Sequence, residues 1–430
     1  MHNDLVAANH HLRPLWFPLP LDTNSKRIRI SLTNNSPAMD LLTTLSSASY
    51  KSITCIELHT AGEPTRVILS GYPALSGSLL SQRGQAKASH DSMRKRLMLE
   101  PRGHVDMYGA ILRHDTELTA TGAAHMGVLF TTNDGYSTMC GHATIALGRL
   151  LVDTHDKQTF PRRDEVEFDA ERKTVLLRLH APCGLLHVTV PTNDEGSASD
   201  PTRPVSFISV PSFATAIQVR VPIPDSHRWP ELGSRDYVTV DFSYGGAFYG
   251  IVAATELGFQ HGLKNIDFDA TNKATKLLKA AVNANPDLEY VFRHPDHDDL
   301  GFLYSIMLVD QNIGRWDEGA GGVETGLCYF ANQQVDRSPT GSGVAARAAL
   351  AYAKELRKVG ERWTYHSLVT NMQGQGGFVG TVVEEVGRQS SLPVVHVKVE
   401  GFAYYTGTHT FVVEDTDPLG EEGFLFNELS

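Results

Sequence analysis

Two stretches of the chain constrain its fold more than any other feature. Residues 138–146 (TMCGHATIA) and 338–346 (SPTGSGVAA) can be laid over one another, with Gly141 opposite Gly341. Two interpretations are open. Glycine followed by small helix formers is common, so the match can arise by chance, but a duplicated domain would also produce it. Duplication predicts two similar halves, each with one such helix, and a single site between them.

The remaining pattern from residue 53 consists of short β-like runs bounded by glycine and proline, which favours antiparallel sheet. Examples are Arg66–Leu69, Val175–Leu179, Leu186–Val190 and Tyr237–Phe242. The two matching stretches predict helices over Cys140–Val152 and Thr340–Leu356, which run through alanine and leucine without a wide charged face, as buried helices do. Polar composition predicts surface loops over Ser81–Arg96, Asn193–Arg203 and His294–Asp299.

Length and charge narrow the class of protein. A chain of 430 residues is comfortable for two domains. Residues 1–50 mix Asn, Ser, Thr and Pro without periodicity, so we predict a weakly ordered extension, with a transit peptide as the alternative. The net charge of -11 and the lack of a basic block argue against nucleic acid and anionic membranes as partners. A small-molecule substrate is the better expectation.

Cysteine usage and hydropathy indicate the compartment. The four cysteines include no CxxC pair, which favours reduced thiols in the cytoplasm. No run approaches the roughly 20 apolar residues of a membrane span, so we expect no membrane segment.

Cys140 lies at the predicted start of the first helix, where the helix dipole and unpaired N–H groups favour a thiolate and can bring its pKa close to neutral. It is therefore a candidate base, and a buried structural cysteine is the alternative. Cys55, Cys183 and Cys328 lie in strand-like or loop contexts, and we interpret them as structural.

Two helix N-termini facing one cavity would supply converging N–H donors. Such donors hold a carboxylate and the extra negative charge that develops when its α-carbon loses a proton. Asp336 and His142 lie beside the two helix starts and are candidates to hold a substrate nitrogen. An aspartate in this position can instead be a helix cap.

An ordered set of motifs resembles the proline racemase family from residue 53 almost to the C-terminus. The motifs are ELHTAGEPTR (57–66), EPRGHVDMYG (100–109), MCGH (139–142), SYGGAFY (243–249), DRSPTGSG (336–343) and EDTDPLG (414–420). The resemblance implies an α+β fold like that of diaminopimelate epimerase, with two pseudo-symmetric halves of antiparallel strands around a central helix. It also implies a homodimer that uses no cofactor.

The halves implied by the resemblance are residues 51–203 plus about 399–430, carrying Cys140, and residues 204–398, carrying Asp336 and Thr340. By motif match, Gly141, His142, Gly341 and Ser342 are implied to bind substrate, and Asp336 to hold the ring nitrogen. The family places a second cysteine in DRSPCGxG, where this chain has Thr340. A threonine hydroxyl is far too weak an acid to exchange protons with a thiolate, so two-base stereoinversion should fail.

The Cys/Thr branch that this chain resembles dehydrates trans-3-hydroxy-L-proline. In that compound the α-hydrogen and the hydroxyl lie on one face of the ring, so a single residue can serve both. The resemblance thus implies that Cys140 takes the α-proton and returns it to the departing hydroxide, giving Δ1-pyrroline-2-carboxylate. Thr340 either hydrogen-bonds substrate or water on the opposite face or only fills space.

Three other functions compete with this prediction. The chain could be a hydroxyproline or amino-acid epimerase in which water replaces the missing cysteine, a catalytically silent amino-acid-binding protein, or a dehydratase of another β-hydroxy amino acid. A metal enzyme is disfavoured, because the cluster His294, Asp296, His297, Asp298 and Asp299 is typical of a solvated loop. We therefore predict no metal.

Overall fold

The computed structural model describes residue 41, residues 43–45 and residues 52–426. The chain forms two compact units, Met1–Leu45 and Ser46–Ser430. In the first unit, the described residues are helical. The predicted extension over residues 1–50 falls almost entirely outside the described residues. All further description concerns the second unit.

The second unit is an assembly of strands with a few helices. Its strands are β1 (Ile53–Thr60), β2 (Glu63–Ser70), β3 (Gly109–Arg113), β4 (Met126–Thr131), β5 (Tyr136–Ser137), β6 (Glu167–Asp169), β7 (Thr174–Ala181), β8 (Gly184–Pro191), β9 (Val205–Ile208), β10 (Ser212–Pro222), β11 (Tyr237–Tyr244), β12 (Phe248–Ala253), β13 (Leu303–Asp310), β14 (Val323–Phe330), β15 (Gln334–Val335), β16 (Arg362–His366), β17 (Phe378–Gln389), β18 (Leu392–Gly401) and β19 (Ala403–Phe411). Its helices are α1 (Leu79–Ser89), α2 (Asp91–Met98), α3 (Glu117–Ala120), α4 (Gly141–Asp153), α5 (Phe268–Asn283), α6 (Gly341–Ala353) and α7 (Leu368–Gln373). Within the described ranges, no helix combines the length and apolarity needed to cross a bilayer.

Strand pairing follows the same order twice. In the first series, β19, β1 and β2 are antiparallel neighbours, β2 runs parallel to β3, β3 pairs antiparallel with β4, β4 runs parallel to β7, and β7, β8 and β9 are antiparallel. The second series, β10, β11, β12, β13, β14, β16, β17 and β18, has the same directions in the same order. Because β18 pairs with β9, β10 and β17, it joins the two series. This repeat supports duplication over chance.

One helix packs against each series. Helix α4 contacts β1, β2, β8, β9 and β19, while α6 contacts β10, β11, β12, β17 and β18. The predicted helices are confirmed to within three residues at their ends. In α4, the side chains of Leu147, Leu150 and Leu151 are buried, and each contributes roughly 1.5–3 kcal/mol by leaving water.

The predicted loop over Ser81–Arg96 is wrong, because this stretch lies in α1 and α2. Polar composition misled the prediction, since several of its long polar side chains are buried with partners. Gln82 donates to the carbonyl of Asp115, and Arg94 to the carbonyls of Thr132 and Asn133. Hydrogen bonds to strand ends let these side chains occupy the buried faces of the helices.

Candidate active site

The two matching helices meet at their N-termini. A Cβ atom built on Gly141 would lie 2.4 Å from the Cα of Gly341, and one built on Gly341 would lie 2.7 Å from the Cα of Gly141. Only glycine permits two backbones to approach so closely. The first N–H groups of a helix have no intrahelical partners and carry the positive end of its dipole. Two such ends therefore converge on one place, which suits an anion.

A small cavity lies at this junction. It is lined by all seven residues predicted for the site, Cys140, Gly141, His142, Asp336, Thr340, Gly341 and Ser342, and by Tyr108, Met139, Tyr249, Tyr304 and Phe330. Its volume of about 10 Å³ is room for about one water molecule. A larger cavity of about 700 Å³, beside the C-terminal half of α6, contains none of the seven. We place the site in the small cavity because the helix starts and their motifs converge there.

Cys140 is the N-cap residue of α4 and is only 4% exposed. Its Sγ accepts a hydrogen bond from the Ala143 N–H at 3.3 Å and lies 3.2 Å from Nδ1 of His142. Burial raises the pKa of the Cys140 thiol well above its usual value, against the lowering effects of the Tyr108 hydroxyl and the Ala143 N–H. The expectation of a near-neutral pKa is not met, because desolvation outweighs the helix start.

His142 is buried beside this thiol. Its ring packs edge-on against Tyr108, with centroids 4.6 Å apart. Burial lowers the pKa of His142 to about 3, although a hydrogen bond to the Pro64 carbonyl opposes the shift. The imidazole is therefore neutral at physiological pH, and its Nδ1 can accept the Cys140 S–H.

Asp336 and Thr340 form the corresponding structure before α6. The Thr340 hydroxyl donates to Oδ2 of Asp336 at 2.8 Å, and the Ser338 N–H donates to Oδ1 at 2.7 Å. Burial raises the pKa of Asp336 to about 6, although the hydrogen bonds from Thr340 and Ser338 lower it. The N-cap residue of α6 is Thr340 and not Asp336, so the carboxylate does not cap this helix.

Thr340 has a left-handed backbone, with φ 63° and ψ 88°. For a β-branched residue this conformation costs on the order of 1–3 kcal/mol. Its N–H donates to the Ser338 hydroxyl at 3.1 Å. Both hydrogen-bond donors of Thr340, the N–H and the hydroxyl, therefore bind residues of the same turn. The strained turn is thus held by its own hydrogen bonds.

A carboxyl group to which we assigned no role, that of Glu63, lies close to Asp336. Glu63 is fully buried, and its Oε2 accepts the Arg337 N–H at 2.7 Å. Its Oε1 has no hydrogen-bond partner among the described residues. Burial, and then the charge of Asp336, raise the pKa of Glu63 well above its usual value. The available signal was its place in the ELHTAGEPTR motif.

Aromatic rings form the rest of the wall of the small cavity. The Tyr249 hydroxyl lies 2.7 Å from the Ser342 hydroxyl, and the Tyr304 ring stacks on Phe330 with centroids 5.7 Å apart. Tyr108 and Tyr249 belong to motifs that we quoted without giving them a role. Tyr304 and Phe330 lie on β13 and β14 outside any motif, so sequence offered no signal for them.

The polar cluster at 294–299 forms local turns. Nδ1 of His294 accepts the N–H groups of Asp296 and His297, at 3.2 and 3.1 Å. Across the described residues, no group of three or more His, Cys, Asp or Glu side chains is placed to hold a metal ion. The His294 ring also packs edge-on against Tyr244, with centroids 5.0 Å apart.

The chain is similar to known proteins over most of its length. A sequence model of the family described as proline racemase matches residues 55–425. The trans-3-hydroxy-L-proline dehydratase of Homo sapiens is 40% identical over 376 residues, covering 87% of this chain and 94% of that protein. The trans-3-hydroxy-L-proline dehydratase of Burkholderia cenocepacia is 34% identical, covering 87% of this chain and 98% of its own.

Two solved structures share the fold. A probable proline racemase from Agrobacterium radiobacter superposes with a TM-score of 0.70 at 21% identity, covering 87% of this chain and 97% of that one. A hydroxyproline epimerase from Agrobacterium vitis, solved with trans-4-hydroxy-L-proline, gives a TM-score of 0.68 at 20% identity, covering 88% of this chain and 96% of that one. The predicted α+β fold with two halves is confirmed.

Proposed function

The chain belongs to the proline racemase family, and from this premise we propose that it dehydrates trans-3-hydroxy-L-proline to Δ1-pyrroline-2-carboxylate, with Cys140 as its single base. Curated relatives at 40% identity over 87% of the chain are dehydratases of this compound. The proposed reaction is of the hydro-lyase class: it eliminates water and uses a side chain of this protein as the base.

The observation that carries the proposal is the unequal pair of residues at the two helix starts. Of the residues that line the small cavity, Cys140 alone carries a thiol. The corresponding hydroxyl, on Thr340, already donates to Asp336 at 2.8 Å. An alcohol engaged in this way is no acid or base for a carbon-bound proton. Proton transfer is therefore proposed on one face of the substrate.

Substrate binding follows from the charges around the cavity. The substrate carboxylate would lie against the N–H groups at the starts of α4 and α6, among them those of Gly141, His142, Gly341 and Ser342. Its positively charged ring nitrogen would pair with Asp336, which is ionised above about pH 6. The nearby buried charge of Asp336 is one cause of the raised thiol pKa. A bound ammonium offsets that charge, so substrate favours the thiolate form of Cys140.

The elimination then needs only one group. The Cys140 thiolate takes the α-proton, and negative charge develops on the substrate carboxylate, where the helix N-termini stabilise it. The resulting thiol gives its proton to the hydroxyl leaving C3 on the same face, so water departs and the thiolate is restored. The enamine product tautomerises to Δ1-pyrroline-2-carboxylate. His142, which is neutral, orients the thiol.

Proton NMR in D2O tests the proposal. Purified protein is incubated separately with trans-3-hydroxy-L-proline, L-proline and trans-4-hydroxy-L-proline. We expect only the first to lose water, and Cys140→Ser to slow that reaction by about a hundredfold or more, as expected for loss of a general base. Cys183→Ser is the matched control, because Cys183 lies outside the catalytic cavity and should not affect the rate.

Other outcomes have definite meanings. Inversion of L-proline or trans-4-hydroxy-L-proline by the wild type would contradict the single-base proposal and favour an epimerase. Inertness toward all three compounds would favour a binding protein or a dehydratase of another β-hydroxy amino acid.

We also propose that the protein is a cytoplasmic homodimer. Within each chain, we propose that residues 51–203 plus about 399–430 form one half and that residues 204–398 form the other. All four cysteines are free, which suits a reducing compartment. The return of β19 to β1 supports the assignment of the C-terminal segment to the first half. Light scattering after size-exclusion chromatography tests the dimer, and a monomeric mass would refute it.

A further inference from the structure

The catalytic cavity is too small to admit a substrate unless its wall moves. Its volume of about 10 Å³ holds about one water molecule, which is far less than an imino acid needs. Substrate must therefore displace part of the wall. Tyr304 is the part of the wall to examine, because it also lines a second cavity of about 150 Å³.

The second cavity, which we term the vestibule, lies between β5 with the turn before it and the α5–β13–β14 side. Its lining includes Asp134, Ser137, Lys279, Phe302, Leu303 and Tyr304. Ser137 connects it to the catalytic cavity, since its hydroxyl donates to the carbonyl of Met139 at 2.9 Å. Tyr304, which lines both cavities, therefore lies between the vestibule and the catalytic residues.

Opposite charges face the vestibule without contacting each other. The Asp134 carboxylate makes no hydrogen bond or ion pair with a described residue. The Lys279 ammonium donates to the carbonyl of Tyr304 at 2.8 Å. Burial lowers the pKa of Lys279, whereas the charge of Asp134 raises it, so the two groups interact across the cavity. Both residues line the same cavity of about 150 Å³, which has room for a small molecule with both charges.

We propose that the vestibule binds a small zwitterionic imino acid before it passes Tyr304 into the catalytic cavity. Its carboxylate would contact Lys279, its ring ammonium would face Asp134, and its methylene groups would lie against Phe302 and Leu303. Recognition requires both charges on one small ring. The proposal rests on the proposed function only for the identity of the imino acid.

Lys279 also links binding to access. Its ammonium holds the backbone of Tyr304, the residue that divides the two cavities. A carboxylate arriving at Lys279 competes with that carbonyl for the ammonium. The Tyr304 ring itself packs against three other rings, those of Tyr249, Phe302 and Phe330. Loading of the vestibule therefore loosens the strand segment that carries Tyr304.

Two substitutions remove the charges with little change of shape, Lys279→Gln and Asp134→Asn. Glutamine retains a donor for the Tyr304 carbonyl, and Asp134 is exposed, so neither variant depends on a change in the core. Lys276→Gln is the control, because Lys276 is an exposed lysine of α5 outside the vestibule. With trans-3-hydroxy-L-proline, we expect each test variant to lower kcat/KM about fivefold at unchanged kcat, as loss of a steering charge does.

Binding of L-proline gives a test that does not need turnover. NMR line shapes should report an association rate that falls about fivefold in the two test variants at an unchanged dissociation rate, so that Kd rises about fivefold. If wild type fails to dehydrate the hydroxyproline, the proposed function fails while these rates still test the vestibule. The vestibule is refuted if wild type does not bind L-proline, if both variants keep wild-type rates, or if they change kcat or the dissociation rate instead.

Discussion

At the scale of single residues, Thr340 is the residue that we propose to decide the stereochemical outcome. Its hydroxyl anchors Asp336 at 2.8 Å, and its backbone is held in a left-handed conformation. Neither of the two interpretations offered by sequence, hydrogen bonding to substrate or space filling, included this contact. The side chain thus positions the carboxylate proposed to hold the ring nitrogen, besides lining the face opposite Cys140.

Thr340→Cys should therefore change the reaction. A second thiol opposite Cys140 supplies the missing base, so we expect slow α-epimerisation of trans-4-hydroxy-L-proline in D2O. Dehydration should fall about tenfold, because a thiol is a weaker donor to Asp336 than a hydroxyl. Thr340→Ser, which keeps the hydroxyl, should dehydrate at close to the wild-type rate and epimerise nothing. Chiral chromatography of the recovered substrate measures the epimer, and its absence from the cysteine variant would contradict the proposed geometry.

The pH dependence follows from two raised pKa values. Asp336 must be ionised to hold the ring nitrogen, so kcat/KM should fall as pH drops through about 6. Cys140 must be a thiolate, and burial raises its pKa, so kcat/KM should rise with pH beyond neutrality. Initial rates between about pH 5 and about pH 9 test this. A profile that is flat above neutral pH would argue against Cys140 as the base.

The seven residues that the sequence predicted for the site lie at or just before the two helix starts, each inside a motif, and the cavity gathers all of them, while their roles stay predictions. The sequence assigned no role to Glu63, whose importance depends on burial and on its contact with Arg337, 274 positions away. It could not identify Tyr304, because a tyrosine in a buried strand has no local pattern that distinguishes a cavity wall from core. The sequence thus predicted which residues lie at the helix starts, but it did not predict contacts between segments that are distant along the chain.

At the scale of elements, the close approach of α4 and α6 depends on Gly141 and Gly341. The helical pattern predicted both helices, because apolar runs of this length have few alternatives. The same rules failed for α1 and α2, whose polar composition suggested a loop. What no pattern could indicate is that the first residues of α4 and α6 touch.

Gly141→Ala tests that contact. Alanine favours a helix interior by about 1 kcal/mol over glycine, yet its Cβ would lie 2.4 Å from the Cα of Gly341. Because the obstacle is backbone, the helix starts must separate, and kcat/KM should fall about a hundredfold. Gly84→Ala in α1 is the control, since nothing lies within 4 Å of its added Cβ and activity should not change. Wild-type kinetics for Gly141→Ala, with circular dichroism showing a folded protein, would contradict the close approach.

At the scale of the whole molecule, the groups proposed for catalysis come from two repeats of one strand order. Cys140 and His142 follow β5, and Asp336 and Thr340 follow β15. Contacts between the repeats therefore control the distance between the groups proposed to act on one substrate. Gln334 makes such contacts: its Nε2 donates to the Met107 carbonyl at 3.0 Å and its Oε1 accepts the Asn133 N–H at 3.4 Å.

Gln334→Leu should separate the effect of these contacts from stability. The change leaves two buried backbone groups unpaired, which costs on the order of 1–3 kcal/mol, and the two repeats should then hold the substrate-binding groups at a less well-defined distance. We expect a lower Tm and a KM raised about tenfold. Gln82→Leu is the matched control, because Gln82 is equally buried. Its side chain hydrogen-bonds only Gly77, Arg113 and Asp115, which all belong to the first half of the chain. Gln82→Leu should lower Tm by a similar amount at unchanged KM. An equal rise of KM in both variants would mean that general loosening, and not the contact between the repeats, governs substrate binding.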